Sequence, residues 1–156
     1  MLKLTTITPP DDLQRLVTEI NEAAWDDGNE MAEYDVESLT AYLERQDTVF
    51  VVCHAVTDEG RVLMGFASAR VELKPYGGER WLYVDEVDVC ADQRQRGVGS
   101  ALMRRLFKIA EASGCQEVWL ATEVDNDAAN ALYRSLEPDD VAEVVGYTYE
   151  ADASSG

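Results

Sequence analysis

The stretch Val87–Leu102, VDVCADQRQRGVGSAL, decides how the rest of the chain is read. Valines at 87 and 89 close an alternating run, a polar turn follows, and beyond Gly97 apolar residues recur at helical spacing at positions 98, 102, 106 and 109. The junction therefore reads as strand, turn, helix. The first N–H groups of such a helix have no acceptor within it, and the macrodipole places about half a positive charge there. Gly97 and Gly99 carry no Cβ to hold a ligand off the backbone, while Arg94 and Arg96 add charge-assisted donors. From Arg94 to Lys108 there are five Arg or Lys and no acid, in a chain of formal charge −18. A phosphate group is the anion that suits this turn.

Two familiar phosphate motifs are excluded by the residues themselves. A P-loop continues Gly-Lys-Ser/Thr, whereas Gly99 is followed by Ser100 and Ala101. A dinucleotide fingerprint needs a further small residue where Leu102 stands, inside a parallel βαβ unit, and the strands before this turn read as antiparallel.

Upstream, residues 2–8 alternate as a short strand, and Pro9 and Pro10 stop it before Asp11 or Asp12 caps a helix running to about Trp25. Leu13, Leu16, Val17 and Ile20 share one face of that helix. The polar, glycine-interrupted segment 26–35 reads as a loop of the kind that faces a substrate, ahead of a helix over 36–45. The β-branched run 48–56 and the apolar run 62–73 form an antiparallel hairpin, and 81–89 is a third long strand. After the Gly97–Ser113 helix, with Gly114 as its C-terminal cap, come a strand over 116–124, a helix over 127–136 and a final strand over 141–150. The order is β-α-α-β-β-β-α-β-α-β, an α/β (α+β) fold with a mixed, mostly antiparallel sheet flanked by helices. The length fits one domain over residues 1–156, with no repeat or linker.

Composition narrows the function. No apolar run approaches the roughly 18–20 residues of a membrane helix, and the N-terminus has no signal-peptide core, so a cytoplasmic protein with no membrane partner is expected. Thirty-one acids against 13 bases leave no broad basic face for nucleic acid. Three lysines against ten arginines and that many acids read as halophilic adaptation, in which salt screens self-repulsion; the other reading is steering of a cationic substrate. Cys53, Cys90 and Cys115 are scattered within or beside apolar runs, as buried thiols are. His54 is the only histidine, and its neighbour Cys53 points to the opposite strand face, which disfavours a Cys-His nucleophile; too few ligands remain for a zinc site, so no metal is expected.

Together, VDVCADQRQRGVGSAL and a second motif, NDAANALYRSL at Asn126–Leu136, resemble the signature of the GCN5-related N-acetyltransferase (GNAT) superfamily. The first shows its Arg/Gln-x-x-Gly-x-Gly/Ala turn; the second shows its Asn-x-x-Ala-x-x-Leu-Tyr pattern, with Asn126, Ala129, Leu132 and Tyr133 in place. Within the superfamily the spacing is similar to that of type I aminoglycoside 3-N-acetyltransferases. The resemblance covers roughly residues 2–150 and implies acetyl-CoA as cosubstrate, its pyrophosphate on backbone N–H groups of Gln95, Arg96, Gly97, Val98, Gly99 and Ser100, with Arg94 alongside. It implies that the pantetheine arm lies along Val87, Asp88 and Val89 like an added strand, with Asn126 and Tyr133 also at the cofactor.

Those positions assign the chemistry. Acetyl transfer needs a neutral amine, and a lysine-like amine of pKa about 10.4 costs roughly 4 kcal/mol to deprotonate at pH 7. Glu86, on the strand beside the thioester, is the candidate general base, with Asp88 on the same face; Asp85 faces away unless a bulge intervenes. Glu86, Asp88 and Glu123 are the candidate acceptor-binding carboxylates, and Tyr133 the proton donor to the leaving thiolate. Asp125–Asp127 read equally well as a helix cap. The sequence departs from the superfamily at Ala121, where relatives that modify protein N-termini carry a glutamate base, and at SLEPDD, where Gly-Phe is common. The acceptor is expected to be a small-molecule or peptide amine. The alternative function is a catalytically silent acyl-CoA-binding module, and a nucleotide-dependent oxidoreductase is more distant. A homodimer through an edge strand or the C-terminal segment is compatible with the pattern.

Overall fold

Two aspartates set the starts of the first two helices. Asp12 accepts the Arg15 N–H at 3.2 Å and opens α1, Leu13–Glu22; Asp35 accepts the Ser38 N–H at 2.7 Å and opens α2, Val36–Glu44. Of the two candidate caps before α1, Asp11 instead takes the Thr8 N–H and hydroxyl at 2.7 and 3.1 Å. α1 ends before Trp25, whose indole N–H donates to the Ile20 carbonyl at 2.9 Å and folds the chain back over the helix end. The computed structural model of the chain describes residues 1–9, 11–25, 31–91 and 97–151, and resolves into two compact units, Met1–Leu120 and Ala121–Gly156.

The first unit holds a five-stranded sheet in sequence order. β1 (Leu2–Thr6), β2 (Thr48–Thr57), β3 (Gly60–Leu73) and β4 (Arg80–Val89) are antiparallel, and β5 (Glu117–Trp119) joins β4 in parallel. Alternation sends Phe50, Val52 and Phe66 to one face, and the β2–β3 register shift between Cys53 and His54 brings Leu63 to it as well; there they bury Leu13, Leu16, Val17 and Ile20 of α1 and Leu39 and Leu43 of α2. α3, Val98–Ala112, packs on β4, β3 and β2 through its buried Val98, Leu102, Met103, Leu106 and Ala110. Each of the Val, Leu and Met side chains among these contributes about 1.5–3 kcal/mol on burial. Gly114, at φ 72°, ends α3 as read from the sequence, with the Cys115 N–H reaching the Ala110 carbonyl at 2.9 Å.

The predicted strand over 116–124 is realised only at Glu117–Trp119, where its three residues pair with Trp81–Tyr83. In the second unit, α4 spans Asp127–Ser135 and begins at Asn126, whose side chain accepts the Ala129 N–H at 3.1 Å. The strand expected over 141–150 is not formed within this unit taken by itself. A strand exists only through a ladder to another strand, and the described residues of this unit contain none.

Candidate active site

The site is built where β4 loses register with β3. Ser68 stands opposite Glu86, yet Ala69 stands opposite Val84, so Asp85 is an extra residue in β4. Without this bulge, Leu82, Val84, Glu86 and Asp88 would share one face. With it, Val84 opposes Ala69 and is buried, while Glu86 and Asp88 oppose Ser68 and Phe66 on the face that α1 and α2 cover. Asp85 is turned toward that face as well, where its carboxylate accepts from Arg70 Nη1. The expectation that Asp85 faces away held only for a regular strand; the bulge reverses it. β4 parts from β5 in the same region, because their pairing stops at Tyr83.

Three carboxylates thus follow in four residues, and they are not equivalent. Asp85 has a guanidinium partner, which also donates from Nε to Glu72 at 2.7 Å. Glu86 has none. Desolvation, a hydrogen bond to the Asp88 carboxyl, and the charges of Asp88 and Asp85 push its pKa up to about 7. The side chain is accessible to solvent, so protein around the cleft desolvates it without sealing it off. Glu86 is therefore poised to take up or release a proton near neutral pH.

Two tyrosines border the pair. Tyr34, from the loop between α1 and α2, lies with ring centroids 5.6 Å from Phe66 and 6.3 Å from Phe50. Burial, then the charges of Glu86 and Asp88, raise its pKa, so the phenol stays protonated. Its backbone is clamped from both sides by Asn21, which donates to the Tyr34 carbonyl at 2.8 Å and accepts the Tyr34 N–H at 2.9 Å. Tyr42 of α2 shares its hydroxyl proton between the Ala69 and Val49 carbonyls at 2.9 and 3.1 Å, with a pKa raised by burial to about 12. This bond ties α2 to the sheet next to the bulge.

β4 runs from the carboxylates into the turn before α3. Gly97 takes a left-handed conformation, φ 77°, that favours glycine, and caps α3 with no side-chain hydrogen bond. The leading N–H groups of this fifteen-residue helix have no acceptor within the helix. Arg94, Gln95 and Arg96 lie outside the described residues. β3 approaches closely at this corner. A Cβ on Gly65 would fall 2.5 Å from the Asp88 carbonyl oxygen and 3.2 Å from Val98 Cγ1, so glycine is required where β4 and the start of α3 meet.

Of the residues singled out from sequence, Glu86, Val87, Asp88 and Val89 sit on β4 beyond its last pair with β5, and Gly97, Val98, Gly99 and Ser100 begin α3. Asn126, Tyr133 and Glu123 belong to the second unit. There Asn126 caps α4, Tyr133 is on that helix, and Glu123 is in the turn before it, its carbonyl accepting from the Asn126 N–H at 3.1 Å and from Asn130 Nδ2 at 3.0 Å. Sequence reasoning missed Tyr34, Tyr42, Arg70 and Gly65. Tyr34 had a signal, since it falls in the loop marked as substrate-facing; Arg70 and Gly65 had none, because their roles depend on the β3–β4 register.

The carboxylate pair thus stands where two parallel strands part, on the strand that leads to a glycine-capped helix start. The chain belongs to the acetyltransferase (GNAT) family, whose model matches residues 13–137. It is similar to a mycothiol acetyltransferase of Clavibacter michiganensis subsp. michiganensis, 42% identical over 89 residues, which cover 57% of this chain and 27% of that protein. It is also similar to the N-alpha-acetyltransferase MAK3 of Arabidopsis thaliana, 34% identical over 86 residues, covering 55% of this chain and 36% of the relative. The matched stretches are thus well under half the length of these two relatives. Among solved structures, the fold matches an aminoglycoside acetyltransferase, meta-AAC0020, from an uncultured soil metagenomic sample in complex with sisomicin, with TM-score 0.80, 19% identity and 96% of each chain covered. It also matches AAC(6')-Iy in complex with a CoA-containing bisubstrate analog, with TM-score 0.71 and 16% identity, covering 97% of this chain and 99% of that one. At such identity these likenesses show the fold. No helix among the described residues is long and apolar enough to cross a membrane.

Proposed function

We propose that this chain is an acetyl-CoA-dependent N-acetyltransferase that transfers the acetyl group to a primary amine by direct attack on the thioester. The observation that carries the reading is the Glu86–Asp88 pair at the parting of β4 and β5, with Glu86 titrating near neutrality. The family match spans both units and supports taking residues 1–156 as one catalytic domain.

The residues present fit acetyl-CoA. The glycine-capped start of α3, without a side-chain cap, offers N–H groups of Val98, Gly99 and Ser100 to a pyrophosphate, with Arg94, Gln95, Arg96 and Gly97 preceding them, and the exit of β4 from β5 offers Val87–Val89 to the pantetheine arm. When bound, it supplies an activated acetyl group and a thiolate leaving group. Glu86 takes a proton from the acceptor ammonium, and a base of pKa near 7 is matched to that task. Asp88 holds that proton in a shared hydrogen bond and adds the charge that attracts a cation. Tyr34 stays neutral and offers a donor at the rim. Arg70 pairs with Asp85 and holds its carboxylate at the bulge. In this reading Tyr133 returns a proton to the departing sulfur, Asn126 fixes the start of α4 beside the cosubstrate, and Glu123 adds to the acceptor's anionic surroundings.

The acceptor is a small-molecule or peptide amine that is cationic before reaction; the carboxylates support this, as do aminoglycosides and thialysine among what relatives are named for. A cytoplasmic enzyme that works without a metal, adapted to salt and able to form a homodimer, completes the proposal. The test is a panel of amines with acetyl-CoA, read as thiol release. Turnover with a cationic amine, reduced at least a hundredfold in Glu86→Gln, is expected. Tight coenzyme A binding with no thiol release across the panel would favour the silent acyl-CoA-binding module instead.

A further inference from the structure

A second site lies at the far side of α1 from the bulge. A pocket of about 270 Å³ opens where β1, the β2–β3 hairpin and the first turns of α1 meet. Lys3, Arg15, Arg61 and His54 line it, along with the hydroxyl-bearing Thr5 and Thr57, and no carboxylate does. In a chain with 31 acids and 13 bases this is the reverse of the surface as a whole. The register explains the convergence. Lys3 stands opposite His54, and Val56 opposite Arg61, so the cations of β1 and β3 rise on the face that α1 covers, where Arg15 meets them.

Glu19, one turn on from Arg15, is the anion that holds this cluster together. Its Oε2 is 3.1 Å from His54 Nε2 and its Oε1 accepts from Arg61 Nη2 at 2.5 Å, so both oxygens are engaged. Neither Lys3 nor Arg15 forms an ion pair among the described residues. Arg61 Nε is buried with no acceptor, and is the one such side-chain atom among the described residues. His54 registers the surplus: burial lowers its pKa, Glu19 pulls it up, and Arg61 and Arg15 push it down again.

We propose that this pocket binds a phosphate group, as the free ion or as the monoester of a small molecule. Three cations against one carboxylate leave two positive charges, which a phosphate dianion matches and a single carboxylate does not. The volume is just under the roughly 300 Å³ at which drug-sized ligand sites begin, which suits phosphate with a few further heavy atoms. The assignment stands apart from the acetyl-transfer reading and needs none of its residues.

His54 is the chain's only histidine, so its imidazole resonances report on this pocket alone. The full chain, with and without saturating coenzyme A, is titrated with inorganic phosphate, glycerol phosphate and, at matched ionic strength, chloride. The expected result is a saturable shift of the His54 resonances with both phosphates, unaffected by coenzyme A, and with Kd raised about tenfold or more in Lys3→Gln/Arg15→Gln. Both substituted side chains are exposed and leave the Glu19 contacts in place, so the double variant folds. Tighter binding of glycerol phosphate than of inorganic phosphate supports an ester as the ligand, and the reverse order supports the free ion. A drift that does not saturate, an equal effect of chloride, or a saturable shift that survives in the double variant overturns the proposal.

Discussion

Replacing Glu86 by Gln keeps the side chain's length and its capacity to hydrogen-bond Asp88 while removing the group that titrates near 7. A positioned general base contributes about 10²- to 10⁴-fold, and kcat/KM at pH 8 is expected to fall by that range. The pH profile is more diagnostic than the size of the drop. With a pKa of about 7, Glu86 is about one-tenth ionised at pH 6 and about nine-tenths ionised at pH 8. The wild-type profile should therefore rise about tenfold between these values from this group alone. An acceptor amine of higher pKa adds its own rise, which persists in the variant, so the ratio of wild type to Glu86→Gln isolates the Glu86 limb. Stability moves in a fixed direction too. A carboxyl whose pKa is raised on folding, here from 4.5 to about 7, binds protons more tightly in the folded state, so stability falls as pH rises through that window. Glu86→Gln should accordingly melt higher than wild type at pH 8, and the advantage should shrink toward pH 5. Since Glu86 is solvent-accessible, a gain near 1 kcal/mol, or about 2–4 °C, is the scale expected. A ratio of rates that stays flat from pH 6 to 8 would refute the assignment of Glu86 as base, even with a large loss of activity.

Gly65→Ala puts a methyl 2.5 Å from the Asp88 carbonyl and should cost about 1–3 kcal/mol; it should also raise the KM for acetyl-CoA, because the same methyl presses on Val98 at the start of α3. A thermal melt and a KM both equal to wild type would show that β3 and β4 can separate there at no cost. Tyr133→Phe should lower kcat at least tens-fold at neutral pH with little change in acetyl-CoA affinity, and unchanged single-turnover rates would remove its hydroxyl from the chemistry. Raising KCl from about 0.1 M to 2 M should raise the melting temperature if the surplus of acids is salt adaptation, and a flat or falling Tm speaks for substrate steering instead.

Much of this protein follows from local physics that a linear sequence carries. Asp12 and Asp35 begin helices because their carboxylates reach the N–H three residues on, Gly114 ends α3 because it tolerates a left-handed φ, and the spacing of Val98, Leu102 and Leu106 selects the buried face of α3. The glycine of the first family motif is of this kind as well, since the left-handed turn at Gly97 before α3 is a local requirement. The bulge at Asp85 is different. Nothing in WLYVDEVDV distinguishes a regular strand from one with an extra residue, because the shift exists only in the pairing of Ser68 and Ala69 with β4. That pairing turned Glu86 and Asp88 away from the side of Val84, gave Asp85 to Arg70 and raised the Glu86 pKa toward neutrality. The need for glycine at 65, the reach of Tyr34 to the carboxylates and the convergence of Lys3, Arg15 and Arg61 on His54 have the same origin. They join residues on different elements of the fold, and only the register of the sheet and the seat of α1 bring those residues together.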